Sequence, residues 1–151
     1  MRFSGWQGDW QGRIAVLGLS STGFSVADTL IELGSTVRVF AKQADEEFRE
    51  LLDVIGGELV ESDTDLEAFD EFNPELVITS PGFSPNHPLI EHAVAKGLQV
   101  WTDVNLAWRL RDKQPNAQWL TVTGTNGKTT TVELVTHILN SSGKKAVACG
   151  N

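Results

Sequence analysis

The chain has 151 residues, 40% of them hydrophobic, and its 12 Lys+Arg against 20 Asp+Glu leave a formal net charge of -8. That length buries one good core with a remainder that starts another domain, and that charge supplies none of the counterion release nucleic-acid binding uses, which argues against a DNA or RNA binder. The lone cysteine, Cys149, has no intrachain partner and reads as a small buried apolar residue in a reducing compartment, while residues 1–13 lack a signal core and no run approaches the roughly 18 apolar residues of a membrane span, so a soluble cytoplasmic protein without membrane insertion is expected.

Residues 13–17, Arg-Ile-Ala-Val-Leu, form an unalternated apolar run of the kind buried on both faces of a sheet. A helix is predicted over 25–33, with Val26, Ala27, Leu30 and Ile31 on one face and Gly34 as its stop. Residues 36–40 read as a second strand. Residues 45–55 place Phe48, Leu51, Leu52 and Ile55 at helical spacing before Gly56-Gly57, and 58–60 read as a short third strand. The acids Glu61, Asp63, Asp65 and Glu67 fit a solvated loop and helix start better than a cation site. A fourth strand at 76–79 stops at Ser80-Pro81-Gly82, followed by a helix over 88–95, a strand over 98–101 and a helix over 103–111. Short connections and right-handed crossovers make this an α/β fold, a Rossmann-like parallel sheet domain over residues 1–111.

The polar segment 112–117, which contains Pro115, is the expected linker. Beyond it, a strand over 118–123, a glycine loop, a helix over 129–142 and a strand over 145–149 read as the start of a P-loop ATPase domain spanning 118–151. Two parallel strands and one helix cannot close a core, so more chain is expected after Asn151. His87, His92 and His137 lack acidic or cysteine neighbours in sequence and read as surface or structural residues. Trp6 and Trp10 lie in the polar N-terminus and carry no assigned role.

Two glycine loops carry the chemistry. In Thr123-Gly124-Thr125-Asn126-Gly127-Lys128-Thr129-Thr130 a strand passes into a helix through Gly-Lys-Thr. Glycines let backbone amides approach phosphate oxygens, the helix N-terminus adds its positive end, Lys128 adds a point charge, and the Thr129 hydroxyl can ligate magnesium. The spacing departs from the common pattern, because Val122 stands five positions before Gly127. The other loop, Gly18-Leu19-Ser20-Ser21-Thr22-Gly23, has the first and third glycines of a dinucleotide fingerprint but a serine at the second. Phe40-Ala41-Lys42-Gln43 carries no acid after the second strand, which argues against NAD; the Ser21 and Thr22 hydroxyls suit a nucleotide diphosphate in the same crevice.

Together these residues resemble the Mur ligase family, whose shared loop is similar to Thr-Gly-Thr-Asn-Gly-Lys-Thr at 123–129; residues 18–25 and Ser80-Pro81-Gly82 resemble its D-glutamate-adding branch. The resemblance implies an ATP-dependent, ADP-forming ligase of peptidoglycan precursor synthesis that joins D-glutamate to UDP-N-acetylmuramoyl-L-alanine through an acyl phosphate, with ATP and Mg2+ as cofactors and a monomeric state. It assigns ATP to Gly124, Thr125, Asn126, Gly127, Lys128, Thr129 and Thr130, with Lys128 as the catalytic charge and Thr129 at the metal. It assigns the UDP-muramoyl substrate to Ser21, Thr22, Ser80, Pro81, Gly82 and Asn151. Two departures stand out: Ser20 replaces a glycine, and Ala41 stands where many members carry an aspartate near the uracil. The family's magnesium-binding glutamate and histidine, carbamylated lysine and amino-acid-binding third domain have no counterpart in these 151 residues, so the chain alone is expected to be inactive. Two alternatives stay open, a non-catalytic nucleotide-binding module and another Mur or folylpolyglutamate branch.

Overall fold

Apolar residues without alternation need cover on both sides, and in the computed structural model of this chain Ile14, Ala15, Val16 and Leu17 are all fully buried. The structure describes residues 11–80, 82–111 and 118–149. The chain divides into two compact units, Met1–Lys113 and Gln114–Asn151. The expected linker at 112–117 and the tryptophans Trp6 and Trp10 lie outside the described residues.

The first unit alternates β1 (Arg13–Leu19), α1 (Ser21–Glu32), β2 (Thr36–Ala44), α2 (Glu46–Val54), β3 (Glu58–Val60), α3 (Leu66–Phe72), β4 (Leu76–Thr79), α4 (Pro88–Ala95), β5 (Gln99–Thr102) and α5 (Asp103–Leu110). All strand pairs are parallel and the order is β3-β2-β1-β4-β5. Side chains of a strand point alternately to the two faces, and β1 divides accordingly. Ile14 and Val16 join a cluster with Val26, Ala27 and Leu30 of α1, Leu52 of α2 and Leu106 of α5. Ala15 and Leu17 join the opposite cluster with Phe69 of α3 and Leu89, Ile90 and Ala93 of α4. Each fully buried Ile, Leu or Phe contributes about 1.5–3 kcal/mol, so these two layers hold the sheet. Because the chain moves outward from β1 through β2 to β3 and then returns to the other side for β4, the carboxyl ends of β1 and β4 form the topological switch point where open α/β sheets bind ligands.

Three boundaries differ from the sequence reading. Helix α1 begins at Ser21, not at 25, because Ser20 caps it and draws the end of the glycine turn into its first helical turn. Strand β2 runs past Phe40 to Ala44, since a register irregularity after Leu17 lets Leu19 pair with Ala44. In the second unit neither 118–123 nor 145–149 is a strand. A strand exists through its ladder partners, and Leu120 and Val147 are 65% and 79% exposed. Cys149 is accordingly exposed rather than buried.

The histidines also depart from expectation, because acids distant in sequence meet them in space. Asp70 Oδ1 accepts from Lys96 Nζ at 2.5 Å and lies 2.7 Å from His92 Nε2, tying α3 to α4. The hydrogen bond from Lys96 first, and that from His92 second, hold the Asp70 carboxyl below its ordinary value of 3.8. A carboxylate whose value is depressed by folding stabilises the fold above its unfolded value and loses that contribution as pH falls through the folded one. Asp70→Asn is therefore expected to lower the melting temperature at neutral pH. The gap from the parent should close on acidification, as thermal unfolding across a pH series would read; a gap independent of pH would sink the assignment.

Candidate functional site

The carboxyl end of β1 makes a turn that only glycine fits at two positions. Gly18 has φ +93, and a Cβ there would lie 2.9 Å from the Phe83 ring and 3.2 Å from Ser80 Oγ. Gly23 has an ordinary φ, yet a Cβ would lie 2.1 Å from the Gly18 carbonyl oxygen, so its role is close packing of helix on strand. Between them Ser20 has extended backbone and acts as the N-cap of α1, its Oγ accepting from the Gly23 amide at 3.5 Å. The serine in place of the middle glycine thus has a structural task, and the first-turn amides of α1 still face the end of the sheet as donors for an anion.

A crevice of about 430 Å³ opens there. Gly18, Leu19 and Ser20 line it from β1, Ala41, Lys42 and Gln43 from the end of β2, and Asp63, Ser80 and Phe83 from beyond β3 and β4. Ser80 is 8% exposed, its amide donates to the Leu17 carbonyl at 3.0 Å, and its Oγ has no hydrogen-bond partner among the described residues. A buried hydroxyl without a partner costs stability, and this one lies against the turn where a phosphate would approach.

Of the residues assigned from sequence to the uridine substrate, Ser80 lines the crevice. Ser21 and Thr22 stand in the first turn of α1 and do not line it; Gly82, with φ +109, is exposed and does not line it either. Pro81 and Asn151 lie outside the described residues. Sequence reasoning passed over Phe83, and it read Asp63 only as part of an acidic loop. The side chain of His87 is 15% exposed; its Nε2 lies 3.8 Å from Asp63 Oδ2, and its ring meets Phe83 edge-on at 4.9 Å. An N-terminal proline after His87 was the local signal that the histidine sits at a helix cap.

In the second unit, the loop 124–127 leads into α6 (Lys128–Ser141). Gly127, at φ 77, is its N-cap, and Gly124 has φ +156, so the turn uses conformations that favour glycine. Thr125, Asn126, Lys128, Thr129 and Thr130 are exposed. Lys128 Nζ donates to the Gly124 carbonyl at 2.7 Å and to that of Thr125 at 3.4 Å, folding the lysine over the loop. Lys128, Thr129 and Thr130 occupy the first turn of α6, whose amides have no partner within the helix and point toward any anion at its start. Among the described residues no group of three or more His, Cys, Asp or Glu side chains could hold a metal ion, so a divalent cation here would be held by ligand phosphates and the Thr129 hydroxyl. No helix among the described residues is long and apolar enough to cross a membrane.

Comparison with known proteins adds three findings. The model of the family described as Mur ligase MurD-like, N-terminal domain, matches residues 12–102. The chain is similar to the UDP-N-acetylmuramoylalanine--D-glutamate ligase of Leifsonia xyli subsp. xyli, 51% identical over 158 residues that cover 97% of this chain and 30% of that protein. It is 39% identical over 147 residues to the ligase of the same name from Tropheryma whipplei strain Twist, again covering 97% of this chain and 30% of the other. Among solved structures, a murein peptide ligase from Psychrobacter arcticus 273-4 superposes with a TM-score of 0.60 and 25% identity over 87% of this chain and 27% of that one. The chain thus spans about 30% of the length of the curated relatives it matches.

Proposed function

Since the chain belongs to the MurD-like Mur ligases, we propose that its residues supply the nucleotide-substrate domain and the phosphate loop of an ATP-dependent ligase that joins D-glutamate to UDP-N-acetylmuramoyl-L-alanine. The observation that carries this reading is the crevice at the switch point between β1 and β4, floored by the Gly18–Gly23 packing and the partnerless Ser80 hydroxyl. There the amides at the start of α1 and the Lys42 ammonium attract the diphosphate of the UDP moiety. The Ser80 hydroxyl gains an acceptor on binding. Ser21, Thr22 and Gly82, beside the crevice, and Pro81 and Asn151 complete the proposed contacts.

The second unit takes the other nucleotide. The amides following Gly127 and the Lys128 ammonium receive the phosphates of ATP along Gly124, Thr125, Asn126, Gly127, Thr129 and Thr130, and the Thr129 hydroxyl offers a ligand to magnesium. Bound ATP and its cation supply the phosphoryl group that activates the substrate carboxylate as an acyl phosphate for attack by the amine of D-glutamate. The contribution of these residues to that transfer is positioning and charge neutralisation. Lys128 must leave the Gly124 and Thr125 carbonyls to meet a phosphate, so binding exchanges two neutral hydrogen bonds for charge-assisted ones, which are roughly twice as strong.

Titration of the isotopically labelled chain tests the reading. UDP is expected to shift the amides of residues 18–23 and 80–82 and leave 124–130 unmoved, with ATP doing the reverse. Because the net charge of -8 opposes a polyanion, affinity for UDP should be millimolar to high micromolar, about -4 to -6 kcal/mol. UDP shifts confined to 124–130 would reject the crevice as the uridine site.

A further inference from the structure

We propose that Asp63 accepts a hydrogen bond from the nucleoside part of the ligand in the crevice and that His87 positions it for this; the inference rests on the reading of the crevice as a nucleoside-diphosphate site. Asp63 contributes the crevice's carboxylate among the described lining residues, and its side chain is 27% exposed. Beside a diphosphate that charge would be repulsive, and the low exposure weakens solvent screening. The phosphates are drawn instead to the α1 amides and Lys42, so Asp63 meets the uncharged portion of the ligand. An ionised carboxylate is an acceptor only, and the donors a uridine offers are the ribose hydroxyls and the N3–H of the base.

The placement of the acid also follows from the strand ends. In a dinucleotide fold the acid that binds a ribose follows the second strand, but β2 runs into Ala41, Lys42 and Gln43, none of which is an acceptor anion. The carboxylate enters the same crevice from the segment after β3. His87 caps α4 and touches both Asp63 and Phe83, so a single half-buried ring sets the position of the crevice acid and of the crevice aromatic. At 3.8 Å its contact with Oδ2 leaves the carboxylate with acceptor capacity for a ligand.

The test titrates the 151-residue chain, its Asp63→Ala variant and its His87→Gln variant with UDP, 3-methyl-UDP, 2′-deoxy-UDP and pyrophosphate, read by amide shifts. Asp63→Ala is expected to bind UDP about 10-fold or more weakly, the effect of one charge-assisted hydrogen bond, with pyrophosphate binding unchanged or tighter. On the parent chain one of the two analogues should lose a matching factor, 3-methyl-UDP if the base donates and 2′-deoxy-UDP if the ribose does, and the discrimination should vanish in Asp63→Ala. His87→Gln should weaken the same discrimination without changing pyrophosphate binding. Both analogues binding the parent as UDP does, or Asp63→Ala weakening UDP and pyrophosphate alike, would overturn the inference while leaving the nucleotide site in place. UDP that fails to move residues 18–23 of the parent would overturn the crevice reading itself.

Discussion

Gly23→Ala is expected to cost about 3 kcal/mol or more of stability, at or beyond the upper end of the overpacking range, and to abolish nucleotide binding at the crevice. The added methyl would sit 2.1 Å from the Gly18 carbonyl oxygen and 3.1 Å from Ser80 Oγ. A flexible side chain could swing away from such a contact, but the atom in the way is backbone at the bend of the central strand. Relief requires α1 to lift from the sheet, which opens the layer containing Val26, Ala27 and Leu30. The control is Gly97→Ala. Gly97 has φ +76 and open space around it, so alanine there meets only backbone strain of about 1–2 kcal/mol. Urea unfolding of the two variants separates the cases, and equal midpoints would mean that the α1 contact is softer than its geometry implies.

In the full-length enzyme Lys128→Ala is expected to lower turnover by roughly 100- to 1,000-fold, the range for removing one preorganised charge-stabilising donor. Lys128 opens α6, where its ammonium, the helix dipole and the first-turn amides all act on the same phosphates. The lysine also bridges the Gly124 and Thr125 carbonyls, so its loss loosens the loop before any nucleotide arrives. ADP release dependent on D-glutamate measures the first effect, and hydrogen exchange at the Gly124 to Gly127 amides measures the second. Near-normal turnover at saturating ATP would remove Lys128 from the catalytic role.

What was legible from sequence was what short-range pattern decides. The unalternated runs at β1 and β4, the Pro-led start of α4 and the Gly-Lys-Thr turn each depend on neighbours in the chain, and the structure has β3, β4 and α4 with the bounds their residues suggest. The start of α1 was obscured because Ser21 to Phe24 look like the remainder of a glycine loop, and Ser20 lacks the acid three residues later that would mark a capping box. The Asp63–His87 and Asp70–His92 pairs join segments brought together only when α3 and α4 lie on one face of the sheet. No local periodicity encodes such meetings. In the second unit the apolar runs at 118–123 and 145–149 have strand composition, but composition supplies no ladder partner.

The brevity of the outermost strands bears on how this sheet behaves in a crowded solution. Unpaired backbone at a sheet margin is a template on which other chains can add, and ordered stacking of that kind draws on segments of about six or seven residues. Here one margin is β3, with three residues, and the other is β5, with four. At the first margin Glu58 is engaged by Arg38 at 2.7 Å, which leaves a paired charge where a second molecule would have to dock. The long, apolar strands capable of templating fibrils, β1 and β2, are both internal, so the order in which strands are laid down keeps the most aggregation-prone sequence out of reach of other copies while the unit stays folded.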